Sequence, residues 1–128
     1  MDRSSGFGFE VKKRILIGNY VLSHGFYDEY YRSAQRLRRE LTTTISGLVS
    51  DGTMIVMPVT KSVAPLRGES ADNLSKYKDD IFTIVANLTG LPAITVPCAN
   101  SLNGLPVGVQ IMGKPQSEVE LFEAAGII

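Results

Sequence analysis

The sequence predicts an α/β protein in which a mixed sheet is flanked by helices. Three observations lead there. Apolar residues recur at helical spacing from Glu10 to Ile45. Two short apolar runs, "AITVP" and "PVGVQIMG", are each opened by Gly-Leu-Pro and are joined by a loop holding Asn103-Gly104, a pair that adopts φ > 0 in a tight turn. The low polarity of both runs predicts that both faces of those strands are covered, as in a sheet between helices.

From Glu10 to Leu22, the residues Val11, Ile15, Gly18 and Leu22 keep helical spacing and turn one face inward. Gly25 punctuates. A second helix runs from near Tyr27 to about Ile45, with Tyr27, Tyr30, Tyr31, Ala34, Leu37, Leu41 and Ile45 on one stripe and Arg32, Arg36, Arg39 and Glu40 opposite. Residues 9–46 thus read as an αα-hairpin. Gly47 ends it, and Asp51-Gly52 turns the chain into "TMIVMP", a short strand stopped by Pro58. Strand and loop together occupy 53–73. Residues 74–113 hold helix, in two shorter pieces, and then the strand pair; Asn73 or Ser75 caps the helix and Gly90 with Pro92 stops it. "SEVELFEAA", at 117–125, opens a last helix N-capped by Ser117, which "GII" cuts short.

Composition narrows the function classes. The chain has 128 residues, enough to bury roughly 65% of its unfolded surface in one domain. Thirteen basic and thirteen acidic residues cancel, and the clusters Lys12-Lys13-Arg14 and Arg36 to Arg39 sit inside helical patterns. That distribution offers no footprint for direct nucleic-acid or anionic-membrane binding. The apolar runs are too short to span a bilayer, and no hydrophobic leader follows Met1-Asp2-Arg3. One cysteine and one histidine are too few for a zinc site and exclude an internal disulfide, which suits a reducing compartment.

Residue-level chemistry is sparse. Cys98 follows a strand far in sequence from His24 and reads as a buried structural thiol. His24, at a helix end, reads as a solvated or capping side chain. Gly6-Phe7-Gly8 is too short for a phosphate loop, and no Gly-x-Ser-x-Gly elbow exists to present a serine. Asp79-Asp80 reads as a solvated helix N-terminus. Taken alone, these residues contain no catalytic centre.

Four segments, "SSGFGFEVKKRILIGNYVLSHGFYDEYYRSAQRLR", "YKDDIFTIVANLTGLPAITVPC", "GLPVGVQIMGKP" and "SEVELF", closely resemble the C-terminal quarter of the amidase signature family. The resemblance covers residues 3 to 125 and is weakest at 47–74, where "PVTKSVAP" stands in place of the family's Pro-Thr-Ala-Pro-like turn. It implies that 1–128 is a single partial domain, the C-terminal segment of an amidase domain. It also implies why no catalytic group is present. The family's lysine, its serine held by a cis peptide bond and its nucleophilic serine all lie upstream of this region.

Within the family the pattern is most like the glutamine-hydrolysing branch. The resemblance then implies that Arg14, in "EVKKRI", binds the α-carboxylate of glutamine, and that Asp80, in the Tyr-x-x-Asp pattern begun by Tyr77, binds the α-ammonium. Asp79 stands beside it, but the spacing from Tyr77 selects Asp80. A planar guanidinium offers a carboxylate two parallel N–H donors, and a carboxylate pairs with an ammonium. The implied activity is release of ammonia from glutamine, used to convert Glu-tRNA(Gln) to Gln-tRNA(Gln). The implied partners are the B and C subunits of an amidotransferase and, through the complex, a mischarged tRNA. This chain itself takes no cofactor; ATP and Mg²⁺ serve the partner subunit. The implied setting is intracellular: bacterial cytoplasm, mitochondrion or plastid. A fragment of a general small-amide amidase and a non-catalytic truncated product are the alternatives.

Overall fold

The computed structural model describes residues 6–23, 26–66 and 80–128. They fall into two compact units, Met1–Arg39 and Glu40–Ile128. His24, Tyr77 and Asp79 lie outside the described residues.

In the first unit, α1 (Phe9–Val21) buries none of its residues. At 100° per residue its apolar side chains do not gather on one stripe. Phe9, Leu16 and Tyr20 lie to one side, Ile17 and Val21 to another, Val11 and Ile15 to a third, and Phe9 is 83% exposed. The inward face expected for Val11, Ile15, Gly18 and Leu22 is therefore not formed, because Leu16, Ile17 and Tyr20 carry apolar surface round the rest of the helix. A π-helical segment, Tyr27–Arg32, runs directly into α2 (Ser33–Ser46), which crosses the boundary between the units. The ring of Tyr20 on α1 meets that of Phe26, just before the segment, at 4.5 Å, and within the segment the rings of Tyr27 and Tyr31 stack at 4.8 Å. Such pairs contribute roughly 0.5–1.5 kcal/mol each beyond the area they bury.

The second unit is built on a three-stranded sheet of order β1-β3-β2, with β1 at Ile55–Pro58, β2 at Ala93–Asn100 and β3 at Pro106–Met112. Both pairings are antiparallel, and no parallel pair of the kind a mixed sheet contains occurs among the described residues. The β2–β3 turn closes through the Ser101 amide on the Leu105 carbonyl at 2.8 Å and the Gly104 amide on the Ser101 carbonyl at 2.9 Å. Gly104 takes φ 76°, where a side chain would be strained. Opposed residues share a face, so Val56, Ile111 and Ile94 form one row, and Met57, Gln110 and Thr95 form a row on the other face.

Two helices accompany the sheet. α3 (Thr83–Thr89) ends at Gly90, whose φ of 73° turns its amide onto the Ala86 carbonyl. α4 (Glu118–Ala125) packs on β2 and β3 and buries Leu121. Ile111 and Met112 are enclosed, at 2% and 0% exposure. Coverage elsewhere is partial. Ala93, Thr95 and Pro97 of β2 are exposed, and Val56 on β1 remains 59% exposed. The expectation that both faces of the strands are covered is thus met only along the inner half of β3, since α4 lies on one face and reaches only part of it.

Two local expectations are also corrected. Pro97 has no N–H to give the ladder, and the register slips between Pro97 and Ala99. Cys98 is the extra residue, exposed, with its thiol donating to the Val107 carbonyl at 3.6 Å. It is not a buried thiol. Ser117 precedes α4 but makes no cap bond; its buried hydroxyl donates back to the Lys114 carbonyl at 2.7 Å, the local competition to which serine is prone.

Ser117 and Leu121 bring α4 against Gly113, where an added Cβ would fall inside contact distance of Ser117 Oγ and 3.5 Å from the Leu121 side chain. Gly113→Ala is expected to destabilise the second unit by about 1–3 kcal/mol through overpacking, seen as a lower urea midpoint. An unchanged midpoint would show that α4 does not approach this closely.

Candidate functional site

Arg14 projects from α1 in the first unit. Its Nε–H donates to Glu10 Oε1 at 3.3 Å, one helical turn earlier, and Lys13 Nζ lies 4.0 Å from the other Glu10 oxygen. The i, i+4 spacing explains the pairing, and the side chain is 61% exposed, so this ion pair adds little to stability. Asp80 stands in the second unit, on the turn that leads into α3. Its carbonyl accepts the Ile84 amide at 2.9 Å and the Thr83 hydroxyl at 3.3 Å, which fixes the backbone of an exposed residue. The two candidates belong to separate units, and each is placed within its own.

Gln110 was not singled out by the sequence. It is 5% exposed on β3, and its Nε2 donates to the Phe82 carbonyl at 3.4 Å. That bond links the sheet to the segment bearing Asp80. The available signal was a lone amide inside "PVGVQIM", since a polar side chain in an apolar strand needs a partner when buried.

A cavity of about 620 Å³ in the second unit lies between the Ser50–Met54 turn, Gly113 and Lys114, and the face of α4 that carries Ser117, Glu120 and Glu123. Lys114 pairs with Asp51 across it and stands 4.0 Å from Glu120. The hydrogen bond and charge of Lys114 hold the Asp51 carboxyl below its ordinary value, and those of Asp51, with Glu120 adding, hold Lys114 above its own. A lysine kept protonated this way is a poor general base, and the Ser117 hydroxyl is committed to a carbonyl. Neither side chain is thus poised as a base or nucleophile for amide hydrolysis. Among the described residues no group of three or more His, Cys, Asp or Glu side chains could hold a metal ion, and no helix is long and apolar enough to cross a membrane.

The Asp51–Lys114 pair has a definite pH signature. Asp51, lowered in the folded chain, contributes stability above about pH 3.8 that is lost as pH falls through its lowered value. Lys114, raised, contributes below 10.5 and loses it as pH climbs through its raised value. Lys114→Met is expected to return the Asp51 titration, followed by NMR, to the ordinary carboxylate range. The same Asp51 titration in both proteins would show that the pair does not form.

Comparison with known proteins places the chain. A family model described as Amidase matches residues 1–122. The A subunit of glutamyl-tRNA(Gln) amidotransferase from Neisseria meningitidis serogroup A is 47% identical over 123 residues, which are 96% of this chain and 26% of that protein. Its counterpart in Brevibacillus brevis is 46% identical over 125 residues, 97% of this chain and 26% of that one. Among solved structures, the glutamyl-tRNA(Gln) amidotransferase A subunit of Thermotoga maritima superposes with a TM-score of 0.72 at 40% identity, covering 93% of this chain and 26% of that one. A crystal structure described as an amidase gives 0.69 at 25% identity, covering 97% and 29%. The chain thus spans about a quarter of the length of the curated relatives it matches. With the match running through both units and every described helix and strand up to α4, the chain belongs to the amidase family.

Proposed function

We propose that residues 1–128 are the C-terminal part of the glutaminase subunit of a glutamyl-tRNA(Gln) amidotransferase, contributing the wall of the pocket that grips free glutamine. The observation that carries this reading is the likeness to the amidotransferase A subunits along nearly the whole chain. Arg14 and Asp80 are its binding residues. The guanidinium of Arg14 takes the α-carboxylate in a bidentate fork, and the Asp80 carboxylate takes the α-ammonium. A glutamine inside a peptide carries neither charge at its Cα, so the pair selects the free amino acid.

The acylated serine, its cis-peptide serine and the lysine belong to the upstream part of the glutaminase polypeptide, so this chain supplies binding and not bond cleavage. Ammonia released there passes to the B subunit, which uses ATP and Mg²⁺ to activate Glu-tRNA(Gln), while the C subunit braces the pair. The complex works inside the cell and reaches the mischarged tRNA without a nucleic-acid site on this chain. A second reading, part of a small-amide amidase, is favoured by the likeness to the solved amidase. In that case no zwitterion is read.

The two readings separate by experiment. In an intact glutaminase polypeptide carrying this segment and assembled with its partners, Arg14→Ala or Asp80→Ala is expected to weaken use of glutamine by about 2–5 kcal/mol, because a substrate charge is left unpaired. Use of free ammonia, which bypasses the pocket, is expected to stay within twofold or so of the wild type. Equal losses with both nitrogen donors would refute the assignment. Purified 1–128 alone is expected to release no ammonia from glutamine above background, and hydrolysis abolished by a point mutation within it would reveal a nucleophile in these residues.

A further inference from the structure

Asp80 is exposed, and the bonds described for it are short-range: its carbonyl takes the Ile84 amide at 2.9 Å and the Thr83 hydroxyl at 3.3 Å. Both partners belong to the first turn of α3, so these bonds fix Asp80 to the helix and not to the sheet. α3 has seven residues, about 10 Å of helix, and no side chain caps its N-terminus. Its other end is well held. Gly90 turns the chain, Leu91 is buried, the Pro92 carbonyl takes the Gly113 amide at 3.1 Å, and β2 begins at Ala93. A helix pinned only there pivots: a rotation of about 10° at Gly90 would carry the Asp80 end roughly 2 Å. Gln110 supplies a second pin. It sits on β3 opposite Met57 of β1 and Thr95 of β2, on the strand that is paired along both edges, and it is 5% exposed. Its Nε2 reaches the Phe82 carbonyl at 3.4 Å, two residues past Asp80 and 28 positions away from Gln110 in sequence.

We propose that Gln110 is a positioning residue for substrate recognition: through the Phe82 carbonyl it holds the first turn of α3, and so the Asp80 carboxylate, at the place from which it reads the α-ammonium of glutamine. The proposal rests on the reading of Asp80 given above and assigns that residue's aim to a side chain on another element. Range is its physical basis. A carboxylate pairs with an ammonium only at direct contact, and misplacing a binding group by about 1 Å can cost on the order of 100-fold in rate. An exposed aspartate leading into a seven-residue helix does not keep that tolerance from bonds within its own turn. Packing alone does not call for an amide at this position. Methionine or leucine would fill the same space among Ile111, Met112 and their neighbours, and a buried amide is costlier than either unless it is hydrogen-bonded. What glutamine adds is a donor for Phe82.

The test uses the intact, assembled glutaminase that carries this segment and two amide substrates, glutamine and its des-amino analogue glutaramate, which keeps the carboxylate and the amide but lacks the ammonium. The quantity read is the ratio of kcat/KM for the two. The wild type is expected to prefer glutamine, and Asp80→Ala to lose most of that preference. Gln110→Met, of similar length but without a donor, is expected to lower the preference about tenfold or more, and the double variant to fall no further than Asp80→Ala alone. Lost folding or assembly depresses both substrates together and leaves the ratio, so a merely structural role would not give this result. Gln110→Asn, whose amide stops one methylene short of Phe82, is the second variant and is expected to act likewise. A wild-type ratio in either Gln110 variant, where Asp80→Ala loses it, overturns the role of Gln110 and leaves the substrate reading standing. A wild-type ratio in Asp80→Ala overturns the substrate reading and this proposal with it. If neither Gln110 variant assembles, Gln110 is a folding residue and the proposal falls.

Discussion

Both ladders of the sheet run through β3, and the packing of the second unit depends on that strand. Ile55 to Pro58 pair with one of its edges and Ala93 to Asn100 with the other, so its backbone amides and carbonyls are satisfied from both sides. That double pairing lets Gln110, Ile111 and Met112 be enclosed, where few other described residues are. The ladder continues one step beyond the strand, where the Gly113 amide bonds the Pro92 carbonyl at 3.1 Å. The absence of a side chain at Gly113 then lets Ser117 and Leu121 come down on the sheet. A short apolar strand, one glycine and one serine therefore set where the last helix lies.

Much of this was legible because it rests on local chemistry. Gly90 and Gly104, read as a stop and a turn, take positive φ in just those roles, and the two Gly-Leu-Pro runs are neighbouring antiparallel strands. What the sequence did not disclose depends on neighbours. Low polarity in "AITVP" shows that a surface is meant to be covered, but not by which chain, and here Thr95 and Pro97 face water. Likewise, Val11, Ile15, Gly18 and Leu22 form a stripe only if Leu16, Ile17 and Tyr20 are ignored. A helix whose apolar residues are scattered among charged ones, as here among Glu10, Lys12, Lys13 and Arg14, contains several such partial stripes.

The candidate site divides along the same line. Arg14 and Asp80 came from a resemblance in two short motifs, and the bonds they make here, to Glu10 and within the first turn of α3, are ones any exposed helix could show. Nothing in their own spacing marks them for a ligand. Gln110 was hidden for the opposite reason: its partner is a main-chain carbonyl, that of Phe82, which no motif records. Cys98 was misplaced because burial statistics for thiols ignore a proline one residue earlier and the bulge it forces.

The order of strands in space is not their order along the chain, and this has a consequence for how the sheet is assembled during synthesis. Among the described residues β3 is the last strand made but occupies the centre, so β1 meets this partner only once residues 106–112 exist. β2 and β3 are joined by a short turn and can zip as a hairpin within microseconds. β1 must then find an edge that lies most of the second unit away in sequence, a closure that is slower for its larger separation. On a ribosome, "IVMP" therefore waits for this partner while the next fifty or so residues are added, about 3–10 s at ordinary elongation rates. Its brevity and its terminal Pro58 limit what it can join in the meantime.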